Sequence, residues 1–280
     1  IKELVENTID AGSSRIVIRL VGGGLKEIQV LDNGKGMGRK DCQMAFKRFA
    51  TSKISDVNDL IWVNSLGFRG EALPSIASIS KVQLVSRQKG DNEGTLLYLE
   101  GGEVVSEETT GCPVGTDILV KDLFYNVPAR KKFVAKESTE ASHSIGFLQK
   151  IAIAYPKISF QVWHNEQLIF VTNGSGNLKT TVVDVFGIDY IENTLSIDYQ
   201  NILSIKGLVG KNFFHRSNRE RQIFIVNGRV IRNRLIQSVL ENAYLGRLPR
   251  RRYPIAIINL LVPPELVDVN VHPAKAEIKF

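Results

Sequence analysis

The chain has 280 residues, 43% hydrophobic and 23% charged, enough for one large or two ordinary domains with real cores. Two cysteines (Cys42 and Cys112) and four scattered histidines exclude a disulfide framework and a Cys/His metal cluster, and no apolar run approaches the roughly 18 residues of a membrane helix, so a reducing cytoplasm is the expected setting. The net charge of +7 is unevenly placed: residues 201–280 hold 14 basic against 5 acidic side chains and the first 200 hold 22 against 24, so the C-terminal part carries the field of a polyanion-facing module.

The chain opens inside an amphipathic helical pattern, Ile1-Lys2-Glu3-Leu4-Val5-Glu6-Asn7, with no cap ahead of it. A fragment lacking an N-terminal segment is therefore expected. The pattern predicts a helix over 1–11, stopped by Gly12. Glu3 and Asn7 lie one turn apart on one face, where a carboxylate and an amide oxygen could orient water and contribute to Mg²⁺ coordination. Taken alone, the same pattern is that of a solvated polar face.

Alternation predicts strands over 15–21 and 27–31 with Gly22-Gly23-Gly24 between them. The second strand ends at Asp32-Asn33-Gly34-Lys35-Gly36-Met37-Gly38. Arg39 stands where a dinucleotide fingerprint needs its third glycine, so that motif is excluded. Asp32 could accept a hydrogen bond from a purine amino group while the glycines admit a flat base; a strand-end turn with an Asx cap gives the same pattern. A helix is expected over 39–49, then a polar stretch whose Thr51, Ser52 and Lys53 would suit a lid over phosphates. Gly67-Phe68-Arg69-Gly70-Glu71-Ala72-Leu73 reads as a glycine-punctuated loop entering a helix over 71–79, a combination suited to a polyphosphate.

Further strands are expected over 82–87, 94–99 and 117–123, where Gly115-Thr116 could present a hydroxyl to the same site. Phe124–Phe133 leads into a longer helix ending before Pro156, and strands follow over 159–164 and 167–172. No Walker A loop is present; Asn173–Thr180 lacks glycine at both required positions. Antiparallel strands with helices to one side imply an α+β layered fold. A domain boundary is expected near 187–193, dividing the chain into 1–188 and 189–280. Beyond it come strands over 195–199 and 203–210, an arginine-rich loop, a hairpin turning at Asn227-Gly228, a helix over 234–244 and a strand over 255–262. Arg229, Arg232, Arg234, Arg250, Arg251 and Arg252 are the candidate contacts for a polyanion; no base-reading motif accompanies them, so binding to phosphates without regard to sequence is expected. The chain ends in Asp268-Val269-Asn270-Val271-His272-Pro273-Ala274-Lys275, where a stiff His-Pro loop could aim Lys275 at a terminal phosphate.

In this order, Glu3–Asn7, Asp32–Met37, Ala50–Lys53, Gly67–Leu73 and Gly115-Thr116 resemble the motifs of the GHKL ATPases. Phe124–Phe133 and Asp268–Phe280 narrow the resemblance to the MutL family of DNA mismatch repair proteins, over essentially the whole chain. The resemblance implies a Bergerat-type ATP-binding domain followed by a transducer domain of ribosomal S5 type. It implies ATP and Mg²⁺ as ligands, Glu3 as general base, Asn7 as metal ligand, Asp32 with Gly34, Gly36 and Thr116 at the adenine, and Gly67, Phe68, Arg69 and Gly70 at the triphosphate. Thr51, Ser52 and Lys53 fall in the lid, and Lys275 matches the lysine that senses the γ-phosphate. The expected activity is slow ATP hydrolysis by a clamp or matchmaker that binds single- and double-stranded DNA, the mismatch-recognition protein MutS and a second copy of itself. The ATPase part of a type II topoisomerase is the alternative. Phe49 departs from the family, whose members usually carry His before Ala-Thr-Ser-Lys.

Overall fold

The computed structural model describes residues 1–47 and 71–263. It divides into two compact units: Ile1–Leu148 with Lys157–Ser175, and Gln149–Pro156 with Gly176–Phe280. The first unit comprises α1 (Lys2–Asp10), β1 (Arg15–Val21), β2 (Glu27–Asp32), α2 (Arg39–Met44), α3 (Ala72–Ala77), β3 (Lys81–Arg87), β4 (Gly94–Glu100), β5 (Glu103–Thr110), β6 (Gly115–Lys121), α4 (Pro128–Lys131), most of α5 (Glu137–Ala154), β7 (Ser159–His164) and β8 (Gln167–Val171). Its eight strands form one sheet in the order β5-β4-β3-β6-β2-β1-β7-β8, antiparallel except for the pair β1/β7.

Period-two patterning builds this sheet's core. Ile16, Ile18 and Leu20 of β1, Ile28 and Val30 of β2, Val82 and Leu84 of β3, Ile118 and Val120 of β6, and Phe160 and Val162 of β7 are all buried. Each set occupies alternate positions along its strand. Three of these buried rows end in a polar residue: Asp32, Ser86 and Thr116. The register sets Asp32 opposite Thr116 and Ser86 opposite Thr116.

The second unit contains α6 (Leu178–Phe186), α7 (Ile188–Glu192), β9 (Thr194–Gln200), β10 (Ser204–Gly210), β11 (His215–Arg216), β12 (Gln222–Val226), β13 (Arg229–Ile231), α8 (Arg234–Ala243), β14 (Tyr253–Pro254) and β15 (Ala256–Leu261). Five strands form a sheet ordered β13-β12-β15-β10-β9, with β12 and β15 parallel, and β11 and β14 form a short ribbon. Ile153, Val182, Tyr190, Leu208, Ile223, Ile225, Ile255 and Ile257 make one core cluster. Phe224, Val226, Ile231, Leu240, Ala256, Leu260 and Val262 make another. Asn227 and Gly228, both at positive φ, turn the β12–β13 hairpin, and the Asn227 side chain exchanges two hydrogen bonds with the backbone of Val262 (2.9 and 3.0 Å).

Three elements depart from the sequence expectation. β5 (Glu-Val-Val-Ser-Glu-Glu-Thr-Thr) is an edge strand without a buried residue, so its sequence carries no apolar alternation. α6 begins inside the stretch read as a failed Walker A loop and runs beyond it, where no helix was expected; Asn177 caps it, accepting from the backbone N–H of Lys179 (2.9 Å) and Thr180 (3.3 Å). The interruption expected at 187–193 is the short helix α7. The division into units falls ahead of residue 188, because α6 and α7 contribute Val182 and Tyr190 to the second unit's core.

Candidate functional site

The site is built where α1, the loop after β2, and the ends of β3 and β6 converge. Helix α1 buries Leu4, Val5 and Thr8. That burial leaves Glu3 exposed and Asn7 half-buried, one turn apart on the same side of the helix. Glu6, which the sequence reading did not single out, is itself buried and pairs with Lys2 at 3.7 Å, one turn back. Lys35 N–H donates to the Ala11 carbonyl (3.0 Å), tying the glycine loop to the end of α1.

Asp32 is only 8% exposed. Its Oδ1 accepts from Ser13 Oγ (3.1 Å) and from Gly34 N–H (2.7 Å). Burial raises the Asp32 carboxyl above the usual aspartate value, while hydrogen bonds from Gly34, Ser13 and the Thr116 backbone act to lower it. Asp32 itself makes the Asx turn, through that bond from Gly34 N–H two residues on, while Asn33 Oδ1 accepts from Ser14 N–H (3.0 Å) and Arg15 N–H (2.8 Å), fixing the start of β1.

The loop glycines have packing reasons of their own. A Cβ on Gly34 would lie 2.7 Å from Ser13 Oγ and 2.9 Å from Ala11 Cβ. Gly36 has φ of +67°, and a Cβ there would lie 1.9 Å from the Arg87 carbonyl oxygen. Any larger residue at Gly36 would push the loop off the end of β3. These two glycines let the loop press on its own scaffold, a closer constraint than leaving room for a flat base.

Thr116 is 9% exposed and its Oγ1 lies 2.9 Å from Ser86 Oγ. Ser86 Oγ donates to the Gly115 carbonyl (2.9 Å) and accepts from Met37 N–H (2.9 Å). One serine therefore latches the glycine loop to β6. Ser13 and Ser86 escaped the sequence reading; the available signal was a polar residue ending a buried row, legible only once strand register is known. Cys42 is fully buried, its Sγ 3.8 Å from the Met37 carbonyl, and burial first of all pushes its thiol up to about 12, so it serves packing rather than nucleophilic chemistry.

The structure thus brings together Asp32, Gly34, Gly36 and Thr116, while Glu3 and Asn7 lie on α1, the end of which is tied to the same loop. Thr51, Ser52, Lys53, Gly67, Phe68, Arg69, Gly70 and Lys275, together with Phe49, lie outside the described residues. No group of three metal-ligating side chains occurs among the described residues. The oxygen donors of Glu3 and Asn7 fit a hard cation such as Mg²⁺, which takes one or two protein ligands and completes its shell with water and phosphate.

In the second unit Arg232 and Arg234 are exposed and Arg229 half-buried, flanking the exit of the β12–β13 hairpin and the start of α8, which Asn233 caps by accepting from Ile236 N–H (3.0 Å). Arg250, Arg251 and Arg252 are exposed on the connection between α8 and β14. Lys150, also unread from the sequence, joins the first group: burial lowers its ammonium, and Arg232 and Arg221 lower it further against Glu220.

Two family models match the chain. Residues 1–108 match the histidine kinase-, DNA gyrase B- and HSP90-like ATPases, and residues 182–280 match the C-terminal domain of DNA mismatch repair proteins. The DNA mismatch repair protein MutL of Desulforamulus reducens is 45% identical over all of this chain and 44% of its own length. That of Halothermothrix orenii is 43% identical over the same shares. The chain therefore spans less than half the length of these relatives. Among solved structures, the N-terminal domain of a DNA repair protein superposes with a TM-score of 0.85 at 28% identity, covering 99% of this chain and 86% of that one. The Aquifex aeolicus MutL ATPase domain complexed with ADP gives 0.71 at 27% identity, covering 94% and 90%.

Proposed function

The chain belongs to the MutL family of DNA mismatch repair proteins, and from that membership we propose that it is the nucleotide-gated part of a DNA clamp or matchmaker that hydrolyses ATP slowly. The supporting observation is the in-register polar row Asp32–Thr116–Ser86 at the end of an otherwise apolar sheet face. A buried carboxylate held on one oxygen by Ser13 and Gly34 is an acceptor set for a purine amino group. Glu3, exposed at the start of α1, takes the proton of the attacking water, and Asn7 supplies an amide oxygen for Mg²⁺. Bound there, Mg²⁺ would neutralise charge on the phosphates.

By resemblance, Gly67, Phe68, Arg69 and Gly70 hold the triphosphate, Thr51, Ser52 and Lys53 close over it, and Lys275 reports the γ-phosphate to the second domain. The arginines around 229–234 and 250–252 contact DNA phosphates, and the mismatch-recognition protein MutS and a second copy of the chain are the partners. Steady-state ATP turnover by the full-length protein and its Glu3→Ala variant tests this assignment. Turnover is expected to fall by at least about 100-fold with nucleotide affinity kept. Undiminished turnover in the variant would remove Glu3 from the chemistry.

A further inference from the structure

Helix α2 carries the chain out of the glycine loop, yet little in its own sequence holds it in place. It has six residues, buries only Cys42, and its N-cap, Gly38, offers no side chain to the first turn. So short a helix is marginal without outside support. It packs on β3 and β4, and a further hold comes from β5, the edge strand that buries no side chain of its own. The register sets Glu107 opposite Leu97, a core residue of β4, so Glu107 stands on the core face of the sheet.

One Glu107 oxygen accepts from Arg39 Nε and the other from Gln43 Nε2 (2.6 Å). Arg39 and Gln43 lie one turn apart on α2, so a single carboxylate takes a donor from each of two successive turns. The Glu107 side chain is only 18% exposed. Hydrogen bonds from Gln43 and from Arg39 hold its carboxyl below the usual glutamate range, so the grip is charged at neutral pH.

The grip reaches the loop through Met37. Cys42 Sγ lies 3.8 Å from the Met37 carbonyl, and Met37 N–H donates to Ser86 Oγ (2.9 Å), so this residue is held by the helix on one side and by the sheet on the other. One position earlier, Gly36 presses on the Arg87 carbonyl with no room for a Cβ. A loop seated so closely cannot absorb a shift of α2 within itself. Displacing α2 would move Met37, and with it the Gly34 N–H that fixes Asp32 Oδ1 (2.7 Å). We propose that Glu107 is a positioning residue for nucleotide binding, acting through Arg39 and Gln43 on the loop that carries Gly34 and Gly36. It touches no ligand itself, and its role rests on the nucleotide reading given above. The same role accounts for β5: a strand with no core to fill adds ~4.8 Å of width to the sheet and brings a carboxylate within reach of the helix.

The test is ATP binding and turnover by the full-length protein and its Glu107→Ala variant. The dissociation constant and KM are expected to rise about three- to tenfold, with kcat at saturating ATP within about twofold of wild type. Gln43→Ala removes one donor and keeps a strong helix former, so a rise of about two- to threefold is expected. The double variant should bind no more weakly than Glu107→Ala alone, because both changes remove the same contact. Glu27→Ala is the control: it removes the single-contact pair with Lys121 (3.8 Å) in the same sheet and should leave KM unchanged. Wild-type affinity in Glu107→Ala, alongside weakened affinity in Asp32→Asn, would overturn the grip and leave the nucleotide reading standing. A wild-type protein that binds no nucleotide overturns both. If Glu107→Ala melts early, Gln43→Ala decides, and unchanged affinity there overturns the grip. Additive losses in the double variant, or a fall in kcat at unchanged KM, would overturn it as well.

Discussion

Asp32 carries two demands that pull in opposite directions. Burial disfavours its charge, while Ser13 and Gly34 hold that charge in place for a donor to meet. Its folded-state value lies above the unfolded one, so the protein binds the proton more tightly when folded. The charged form therefore detracts from stability at neutral pH, and this penalty is relieved as pH falls through the raised value. Nucleotide affinity is expected to move the other way, declining as pH falls through that value and before the ordinary aspartate range near ~4 is reached. Asp32→Asn, which keeps an oxygen for Ser13 and Gly34, should lose affinity by about tenfold or more while melting no earlier than wild type. A nucleotide titration from neutral to acid pH checks both; a wild-type curve flat into the ordinary aspartate range would mean that the carboxylate does not touch the ligand. The sequence made Asp32 visible through the glycines behind it. Ser13 and Ser86 were not visible, because a serine gains this kind of role only from what register sets beside it.

Among the elements, the glycine loop is held by a few hydrogen bonds rather than by buried apolar side chains. Ser86 is the largest single contributor, touching Met37, Gly115 and Thr116 at once. Its removal leaves part-buried groups without a partner, so Ser86→Ala should lower unfolding free energy by about 1–3 kcal/mol. Ser78→Ala is the matched control: its hydroxyl donates to the Ser75 carbonyl on the surface, and its loss should stay within about 0.5 kcal/mol. Equal midpoints in urea at unchanged slope for the two variants would contradict the latch. Strands such as β1, β2 and β6 were legible because one face is buried and the period of two survives in the sequence. β5 was not, since an edge strand facing water keeps the backbone pattern without the apolar one.

For the whole molecule, the question is where one folding unit ends. The sequence marks 187–193 by its polar residues and by the change of charge. The core of the second unit, however, draws on Ile153 from the end of α5 and Val182 from α6, both upstream of that mark. A fragment beginning at residue 189 lacks these two side chains, and at about 2–5 kcal/mol each for a large core truncation it should fail to melt cooperatively. A fragment beginning at residue 137, which keeps α5 entire, should show a sigmoidal transition. Calorimetry of the two fragments decides the matter, and cooperative melting of the shorter one would restore the boundary near 188. Charge asymmetry located the basic module from sequence alone. The stacking of Arg216 on Phe214 and of Arg221 on Phe186 needed the fold, because Phe186 and Tyr190 share one stretch of chain and Phe214 comes from another.

The Ser86 hydroxyl has a single proton to give. Its contacts are all satisfied together only if that proton goes to the Gly115 carbonyl, which cannot donate, and Thr116 spends its own proton on Ser86. The Thr116 oxygen then presents lone pairs alone, as the charged Asp32 does. Both side chains at this rim are acceptors, and neither can reverse its sense while the latch holds. A six-amino purine brings hydrogens to such a rim, whereas a six-oxo purine brings another lone pair. Discrimination between bases would then be set by where one buried serine sends its proton, a residue whose own side chain faces the scaffold.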